Sequence, residues 1–167
     1  EQFENSQTYF GTIVGRCANR IKNAKFTINN TIYNMNRNAG NNHSHGGNIG
    51  FDKKIWNYEI YDDMVVFRLF SEDSEEGYPG NLNIKVSYKL TDENALEIYY
   101  EAVSDKDTIV NLTNHSYFNL NGHNNGDILD HYLKINTASI AKNDEDFVPN
   151  GEDENIENTI FDCSEFK

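Results

Sequence analysis

Three short segments of the sequence carry side chains that could do chemistry. Residues 111–120 read NLTNHSYFNL and place His115 among hydroxyl and amide groups, while residues 41–47 read NNHSHGG and residues 15–26 read GRCANRIKNAKF. An imidazole titrates near neutral pH and is therefore suited to proton transfer. An arginine can donate to sugar hydroxyls or to carboxylates through several N–H groups at once. Together these residue types suit a polyhydroxylated ligand.

The segment 111–120 is predicted to be a β-strand, because its apolar positions suit a sheet. Side chains alternate between the two faces of a strand, so Tyr117 and Asn119 would share the face of His115, and Leu112 would point to the other face. That face would present a row of hydrogen-bonding groups. The same pattern also fits a core histidine held by a backbone carbonyl, and the residues alone leave both interpretations open.

The other two segments also have a structural interpretation beside the functional one. In a strand, the spacing of His43 and His45 would point both imidazoles to one face, as some metal sites of β-sandwiches begin, but no third ligand follows nearby. We therefore expect no metal. The two glycines that follow indicate a sharp bend or the close approach of a ligand. Arg16 and Arg20 stand out in an acidic chain, where each could contact a ligand or simply pair with a carboxylate.

Antiparallel strands must position these side chains, since much of the chain alternates between apolar and polar residues. Three stretches each read as two strands joined by a turn, at residues 25–35, 55–71 and 81–104. The first turn falls at Asn29 and Asn30, residues that tolerate the positive φ of a tight hairpin. No stretch shows helical periodicity. The sequence therefore predicts an all-β fold, an antiparallel β-sandwich in a single domain over residues 1–167.

Three stretches lie outside this series of strands. Residues 71–81 and residues 121–127 are rich in turn formers and are predicted to be solvated loops within the domain. Residues 142–167 are acidic and are predicted to be loop-like as far as the sequence TIFD. No internal repeat or heptad pattern suggests any other architecture.

Composition and charge exclude several classes of partner. The net charge of −13 would repel a phosphate backbone, so nucleic acid is excluded as a partner. No apolar run approaches the length of a membrane span, and the first ten residues, EQFENSQTYF, are acidic and polar where a signal peptide would be basic and then apolar. Cys17 and Cys163 are too few for a disulfide framework. We therefore expect a cytoplasmic protein without a membrane partner.

Three motifs, taken in order, resemble those of the aldose 1-epimerases, also called galactose mutarotases. They are G-R-x-A-N-R-I at residues 15–21, H-G-G-x-x-G-F-D-K-x-x-W at residues 45–56 and N-L-T-N-H-S-Y-F-N-L at residues 111–120. DILDHYLKIN and DEDFVPNGE, further along, are also similar to that family. The resemblance covers nearly the whole chain. It implies a large antiparallel β-sandwich whose cleft binds an aldohexose, with no metal or organic cofactor.

The resemblance also implies roles for particular residues. In that family the histidine of N-H-S-Y, here His115, is the general acid that protonates the ring oxygen of the sugar. The pyranose then opens, and its aldehyde end rotates and closes on the other face. The second histidine and the arginine of the family, here His45 and Arg20, hold sugar oxygens. The remaining motif residues that are expected to bind the sugar are Asn19, Ser116 and Tyr117.

The sequence departs from the family pattern in one respect. The family's general base is a glutamate in a late motif, and a further sugar-binding aspartate lies between that motif and N-H-S-Y; neither has a counterpart after Phe161. The chain is expected to be an internal fragment of about half the family's length, a sandwich incomplete at both ends. On this interpretation the isolated chain is marginally folded and inactive, while the full-length parent is active.

Two other functions remain compatible with the residues. A non-catalytic sugar-binding module would keep Arg20 and His45 but would need no proton transfer. An enzyme similar to the hexose-6-phosphate 1-epimerases would share the sandwich and the histidine. It would also need further Arg or Lys residues near its cleft, and this acidic chain has few. A purely structural domain gives no reason for three polar motifs in this order.

Overall fold

The computed structural model describes residues 8–167 of the chain. The chain divides into two compact units, Glu1–His115 and Ser116–Lys167. The single domain over residues 1–167 stays a prediction. The acidic stretch that argues against a signal peptide lies mostly at residues 1–7, outside the described residues. Within the described part of the chain, no helix has the length and apolarity needed to cross a membrane.

Both units contain antiparallel strands. The first unit contains β1 (Ile13–Val14), β2 (Arg20–Ile21), β3 (Lys25–Ile28), β4 (Thr31–Asn34), β5 (His43–Ser44), β6 (Asn57–Ile60), β7 (Met64–Ser71), β8 (Leu82–Leu90), β9 (Leu96–Ser104) and β10 (Thr113–Asn114). The second unit contains β11 (Ser139–Asn143) and β12 (Pro149–Asn155). The helical segments of residues 8–167 are short 3-10 turns at Lys22–Ala24, Phe51–Lys53 and Glu75–Gly77. The all-β prediction is confirmed.

The hairpin predicted around Asn29 and Asn30 is confirmed. β3 pairs with β4 so that Ile28 lies opposite Thr31, and the two asparagines between them have φ angles of 49° and 62°. Two consecutive residues with positive φ are typical of the type I′ turn, whose twist matches that of two antiparallel strands. Asparagine adopts this conformation more readily than most residues, so the local sequence is enough to determine the turn.

A four-stranded meander in the order β6-β7-β8-β9 confirms the predicted series of strands. Alternate residues of β8 point to opposite faces of this sheet: Ile84 and Val86 are buried, whereas Lys85 forms an ion pair with Glu101 of β9. The buried face of β8, which also includes Leu82, forms one core cluster with Ile13 of β1 and Phe51 of the Phe51–Lys53 turn. This core anchors the part of the chain that carries the first two motifs.

The Phe51–Lys53 turn is fixed to this core by two aromatic rings. Phe51 is buried, and its ring lies edge-on to that of Trp56, with 6.0 Å between ring centroids and 90° between ring planes. The indole N–H of Trp56 donates to Phe51 O at 3.1 Å. Because Asp52 and Lys53 follow directly, the packing of Phe51 determines where two charged side chains lie.

The second unit contains a hairpin that the sequence does not predict. The prediction of a loop-like tail over residues 142–167 is wrong in its first part, because β12 pairs with β11. Every residue of β12 is exposed, so neither of its faces shows the apolar alternation that marks a strand. Val148 and Ile156, just outside β12, are buried.

The exposed loop predicted at residues 121–127 is confirmed.

Residues 71–81 are not the fully solvated loop that their composition predicts. Residues 78–80 are buried, and so is the guanidinium of Arg16, whose residue is 2% exposed. The guanidinium donates four hydrogen bonds of 2.8–3.1 Å, to Ser71 Oγ, Ser71 O, Glu72 O and Pro79 O. Carbonyl and hydroxyl oxygens therefore take its N–H groups, and Arg16 holds the loop to β1 as a structural residue.

We expect the Arg16→Met variant to lose about 3 kcal/mol of unfolding free energy, because buried carbonyl oxygens would lose their donors and could not reach water. Arg68→Met is the matched control. Arg68 is exposed and pairs with Glu59 at the surface, so its loss is expected to cost about 0–1 kcal/mol. Urea titration of both variants, followed by circular dichroism, measures the difference. Equal unfolding midpoints would contradict the structural role of Arg16.

Candidate active site

Two imidazoles from different motifs lie side by side in the first unit. The ring centroids of His45 and His115 are 5.5 Å apart, and their planes cross at 77°. His45 follows β5, and its backbone N–H donates to Asn19 O at 3.0 Å. His115 follows β10, and its backbone N–H donates to Thr12 O at 2.9 Å. Two short strand pairs, β2 with β5 and β1 with β10, therefore bring together histidines that are far apart in the sequence.

The Asn19–Arg20 pair of the first motif is joined to His45. The backbone N–H of Asn19 donates to His45 Nδ1 at 3.2 Å, and Asn19 Oδ1 accepts a hydrogen bond from Arg20 Nη1 at 3.1 Å. Asn19 and His45 both have positive φ, 58° and 51°, and they flank the antiparallel pairing of β2 with β5. Four of the predicted site residues, His115 included, thus lie in one cluster.

The hydrogen bond from Asn19 identifies the tautomer of His45. A backbone N–H can only donate, so Nδ1 of His45 accepts, and the neutral ring carries its proton on Nε2. Burial lowers the pKa of His45, and the nearby charges of His115 and Arg20 lower it further, while Asp52 acts in the opposite direction. The neutral ring can therefore donate from Nε2 to an oxygen of a ligand.

Tyr9 also belongs to this cluster, although none of the three motifs contains it. Its ring centroid lies 4.8 Å from that of His45 and 5.5 Å from that of His115, and its plane is within 25° of the His115 ring. Lys53 Nζ lies 5.8 Å from the Tyr9 centroid. Burial raises the pKa of the Tyr9 hydroxyl, and the charge of Asp52 adds to this effect. The tyrosine is thus in contact with both imidazoles and is held in its neutral form.

His43 does not share the environment of His45. It is fully buried, with Nδ1 2.7 Å from Asn36 O and Nε2 2.9 Å from Tyr78 Oη. The carbonyl can only accept, so Nδ1 of His43 donates and Nε2 accepts from the tyrosine. The prediction that both imidazoles point to one face is wrong, because β5 ends at Ser44 and His45 has positive φ. His43 is a structural residue of the core.

The two glycines after His45 form the bend that the sequence predicts. Gly46 and Gly47 have φ angles of 87° and 106°. A Cβ atom on Gly46 would collide with Gly15 O, and one on Gly47 would collide with the carboxylate of Glu76. The close approach that requires glycine here is therefore made by other parts of the same chain.

The third motif is only partly a strand. The prediction of a strand over residues 111–120 is wrong beyond Asn114, where β10 ends. The prediction that His115, Tyr117 and Asn119 share one face of a strand is therefore also wrong, because these three residues do not lie in a strand. Ser116 and Tyr117 belong to the second unit, where Ser116 is half-buried and Tyr117 is exposed, and their contact with sugar stays a prediction.

One hydrogen bond and one core contact hold the segment before His115 on the four-stranded sheet β6-β7-β8-β9. Asn114 Nδ2 donates to Tyr88 Oη of β8 at 2.8 Å. Leu112 packs against the core on the buried face of the same sheet. Among residues 8–167, no three His, Cys, Asp or Glu side chains are grouped as ligands for a metal ion. The imidazoles and the guanidinium at this site are residue types suited to proton transfer and to hydrogen bonding.

Comparisons with known proteins place this fold and these motifs in a family. A model of the aldose 1-epimerase family matches residues 1–167. The chain is 41% identical over 164 residues to an aldose 1-epimerase of Haemophilus influenzae and 43% identical over 162 residues to a galactose mutarotase of Bos taurus. Each alignment covers 97% of this chain, but only 48% and 47% of those relatives.

Solved structures agree with this match. An aldose epimerase homologue from Caenorhabditis elegans superposes with a TM-score of 0.88 at 32% identity, covering 99% of this chain and 51% of that one. A galactose 1-epimerase from Lactobacillus acidophilus gives 0.86 at 34% identity, covering 99% and 50%. The fold and motifs thus define an all-β protein of the aldose epimerase class. The chain belongs to the aldose 1-epimerase family, and it spans about half the length of the curated relatives it matches.

We expect nitrogen NMR of the His45 ring to show an unprotonated Nδ1 and a protonated Nε2, and to show this neutral form below the ordinary imidazole pKa of about 6.5. Replacing Arg20 with Ala removes a positive charge near the ring and is expected to raise the pKa of His45. Arg37→Ala, at an exposed position outside the cluster, is the control and is expected to leave that pKa unchanged. A proton on Nδ1 of the neutral ring would contradict this tautomer.

Proposed function

We propose that the full-length protein is an aldose 1-epimerase that interconverts the α and β anomers of a hexose such as galactose or glucose. Membership of the family supports this proposal. The observation that carries it is the contact between His45 and His115, whose ring centroids are 5.5 Å apart, beside the Asn19–Arg20 pair. One imidazole can move a proton while the other holds the same sugar.

In the proposed reaction, His115 is the general acid. It gives its proton to the ring oxygen of the sugar while a general base takes the proton of the anomeric hydroxyl, so the bond between the ring oxygen and the anomeric carbon breaks and the aldehyde forms. The free aldehyde rotates, and the ring closes on its other face. A positioned acid or base of this kind typically accelerates a reaction by about 10²- to 10⁴-fold.

The other members of the cluster would bind the sugar. His45 would donate from Nε2 to a sugar oxygen, because its Nδ1 is already occupied by the backbone N–H of Asn19. Arg20 would orient hydroxyl groups and stabilise the charge that develops on the oxygens as the ring opens. Ser116 and Tyr117 are proposed as further sugar contacts, on the motif resemblance alone. We assign the general base to no carboxylate of this chain.

We propose a reducing compartment, the cytoplasm, as the setting. The two cysteines, Cys17 and Cys163, are both free, which suits such a compartment. The substrate would be a small aldohexose. The net charge of −13 does not favour a nucleic-acid partner.

Replacing His115 with Asn in the full-length protein is expected to lower kcat by about 10²- to 10⁴-fold, because the acid is removed while the position keeps a polar side chain. Polarimetry of fresh α-galactose and α-glucose measures the rate of interconversion. His123→Asn, at an exposed histidine of the second unit, is the matched control and should keep the full rate.

Two further measurements on the same proteins separate the alternatives, namely sugar binding and catalysis with hexose 6-phosphate. Absence of catalysis by the unmodified full-length protein, together with sugar binding that survives His115→Asn, would favour a binding module and would overturn the proposal. Catalysis restricted to hexose 6-phosphate would instead indicate the phosphorylated substrate.

A further inference from the structure

We propose that Glu76 is a positioning residue for His45, acting through the loop that directly follows the histidine. Glu76 lies in the 3-10 turn Glu75–Gly77, outside the two-histidine cluster and outside the three sequence motifs. The inference deepens the proposed function, on which its kinetic part rests. Its structural part concerns only the loop and the His45 ring.

Both oxygens of the Glu76 carboxylate bind this loop. Oε2 accepts from the backbone N–H of Asn48 at 3.0 Å, and Oε1 accepts from the backbone N–H of Ile49 at 2.9 Å. Oε2 also accepts from Asn36 Nδ2 at 2.8 Å. A carboxylate that takes two consecutive backbone N–H groups forms charge-assisted hydrogen bonds, which are stronger than those between neutral groups. The carboxylate therefore fixes the backbone three and four residues after His45.

The backbone on both sides of this contact is adapted to it. Gly47 leaves the space into which the carboxylate fits, because a Cβ atom there would collide with Glu76. Glu76 itself has a φ of 50°, in the left-handed region that residues other than glycine rarely adopt. Such a conformation persists only where the surrounding contacts determine it. The three hydrogen bonds to the carboxylate supply contacts of this kind.

A second side chain holds the loop closer to His45. Asn38 Nδ2 donates to Ser44 O at 2.8 Å and to Gly47 O at 2.9 Å, and Asn38 Oδ1 accepts from the backbone N–H of Ser44 at 2.7 Å. The backbone is thus held immediately before His45 and again two residues after it. Glu76 also holds Asn48 and Ile49. A shift of the whole loop would therefore break hydrogen bonds to both Asn38 and Glu76.

The neighbouring carboxylate has a different role, which makes Glu76 the specific choice. Glu75 forms an ion pair with Lys54 and accepts from Ser71 Oγ, away from the His45 loop. Burial by itself raises the pKa of Glu76, but the hydrogen bonds from Asn36, Ile49 and Asn48 outweigh that effect, and the pKa lies below its ordinary value. The carboxylate therefore stays ionised at neutral pH and remains an acceptor for all three donors.

Loosening this loop is expected to displace the His45 ring relative to His115. Small errors in the position of a catalytic or binding group lower the rate strongly, and a displacement of about 1 Å can cost 10²-fold. The expected consequence is a slower reaction in a protein that keeps its fold, because the two buried core clusters of the first unit do not include Glu76.

The test compares Glu76→Ala with Glu59→Ala in the full-length protein. Glu59 is also a carboxylate that accepts two side-chain hydrogen bonds, from Tyr61 and Arg68, but it lies on β6. We expect Glu76→Ala to accelerate amide hydrogen exchange at Asn48 and Ile49 by about 10-fold or more, to shift the His45 ring signals in NMR spectra, and to lower kcat by about 10-fold or more. Glu59→Ala should change none of these.

Either of two outcomes would contradict the proposal. Unchanged exchange at Asn48 and Ile49 in Glu76→Ala would overturn it, and so would faster exchange with unchanged His45 signals and kcat, since Glu76 would then support the loop alone. If Glu76→Ala unfolds, Glu76→Gln, which keeps one acceptor oxygen, is measured in the same way, with an intermediate effect expected. If the unmodified protein has no epimerase activity, the proposed function fails, while hydrogen exchange and the His45 signals still test the role of Glu76.

Discussion

The hydrogen bond between the backbone N–H of Asn19 and the ring of His45 is the interaction on which the candidate site depends. The β2–β5 ladder pairs Arg20 with Ser44, and the backbone N–H of His45 extends it by donating to Asn19 O. The backbone N–H of Asn19 donates back to Nδ1 of the His45 ring, so an imidazole nitrogen takes the place of the carbonyl oxygen that a regular ladder would use. One side chain therefore ends the ladder and leaves its other nitrogen available, with a defined proton, next to His115.

Buried polar groups close to this ladder explain how such short strands hold their positions. Arg16, after β1, donates two hydrogen bonds to Ser71 at the end of β7 and two to the loop that follows, and His43 of β5 joins Asn36 to Tyr78. A buried polar group without a hydrogen-bond partner costs free energy. Each of these side chains is therefore restricted to the few arrangements in which its hydrogen bonds are made. Strands of two residues gain a defined geometry from such side chains that their own backbone pairing would not provide.

Local sequence predicted the parts of the fold that local chemistry determines. The turn at Asn29 and Asn30 and the meander from β6 to β9 follow from residue conformation and from alternation, and both were predicted correctly. The motif resemblance selected His45 and His115, but the strand proposed through residue 120 ends at Asn114. Tyr9 could not be found, because its contacts depend on how β1 and β5 are placed in space. The exposed strand β12 carries no periodic signal at all.

Trp56 gives the first unit a spectroscopic property of its own. It is the single tryptophan of the 167-residue chain, and its indole is hydrogen-bonded to the turn that carries Asp52 and Lys53 beside Tyr9 and His45. Trp56 lies within a few residues of the candidate site, and its ring packs against the buried ring of Phe51. Emission from this chain therefore reports on one defined location, which makes intrinsic fluorescence an optical reporter of local opening and of the proposed sugar binding.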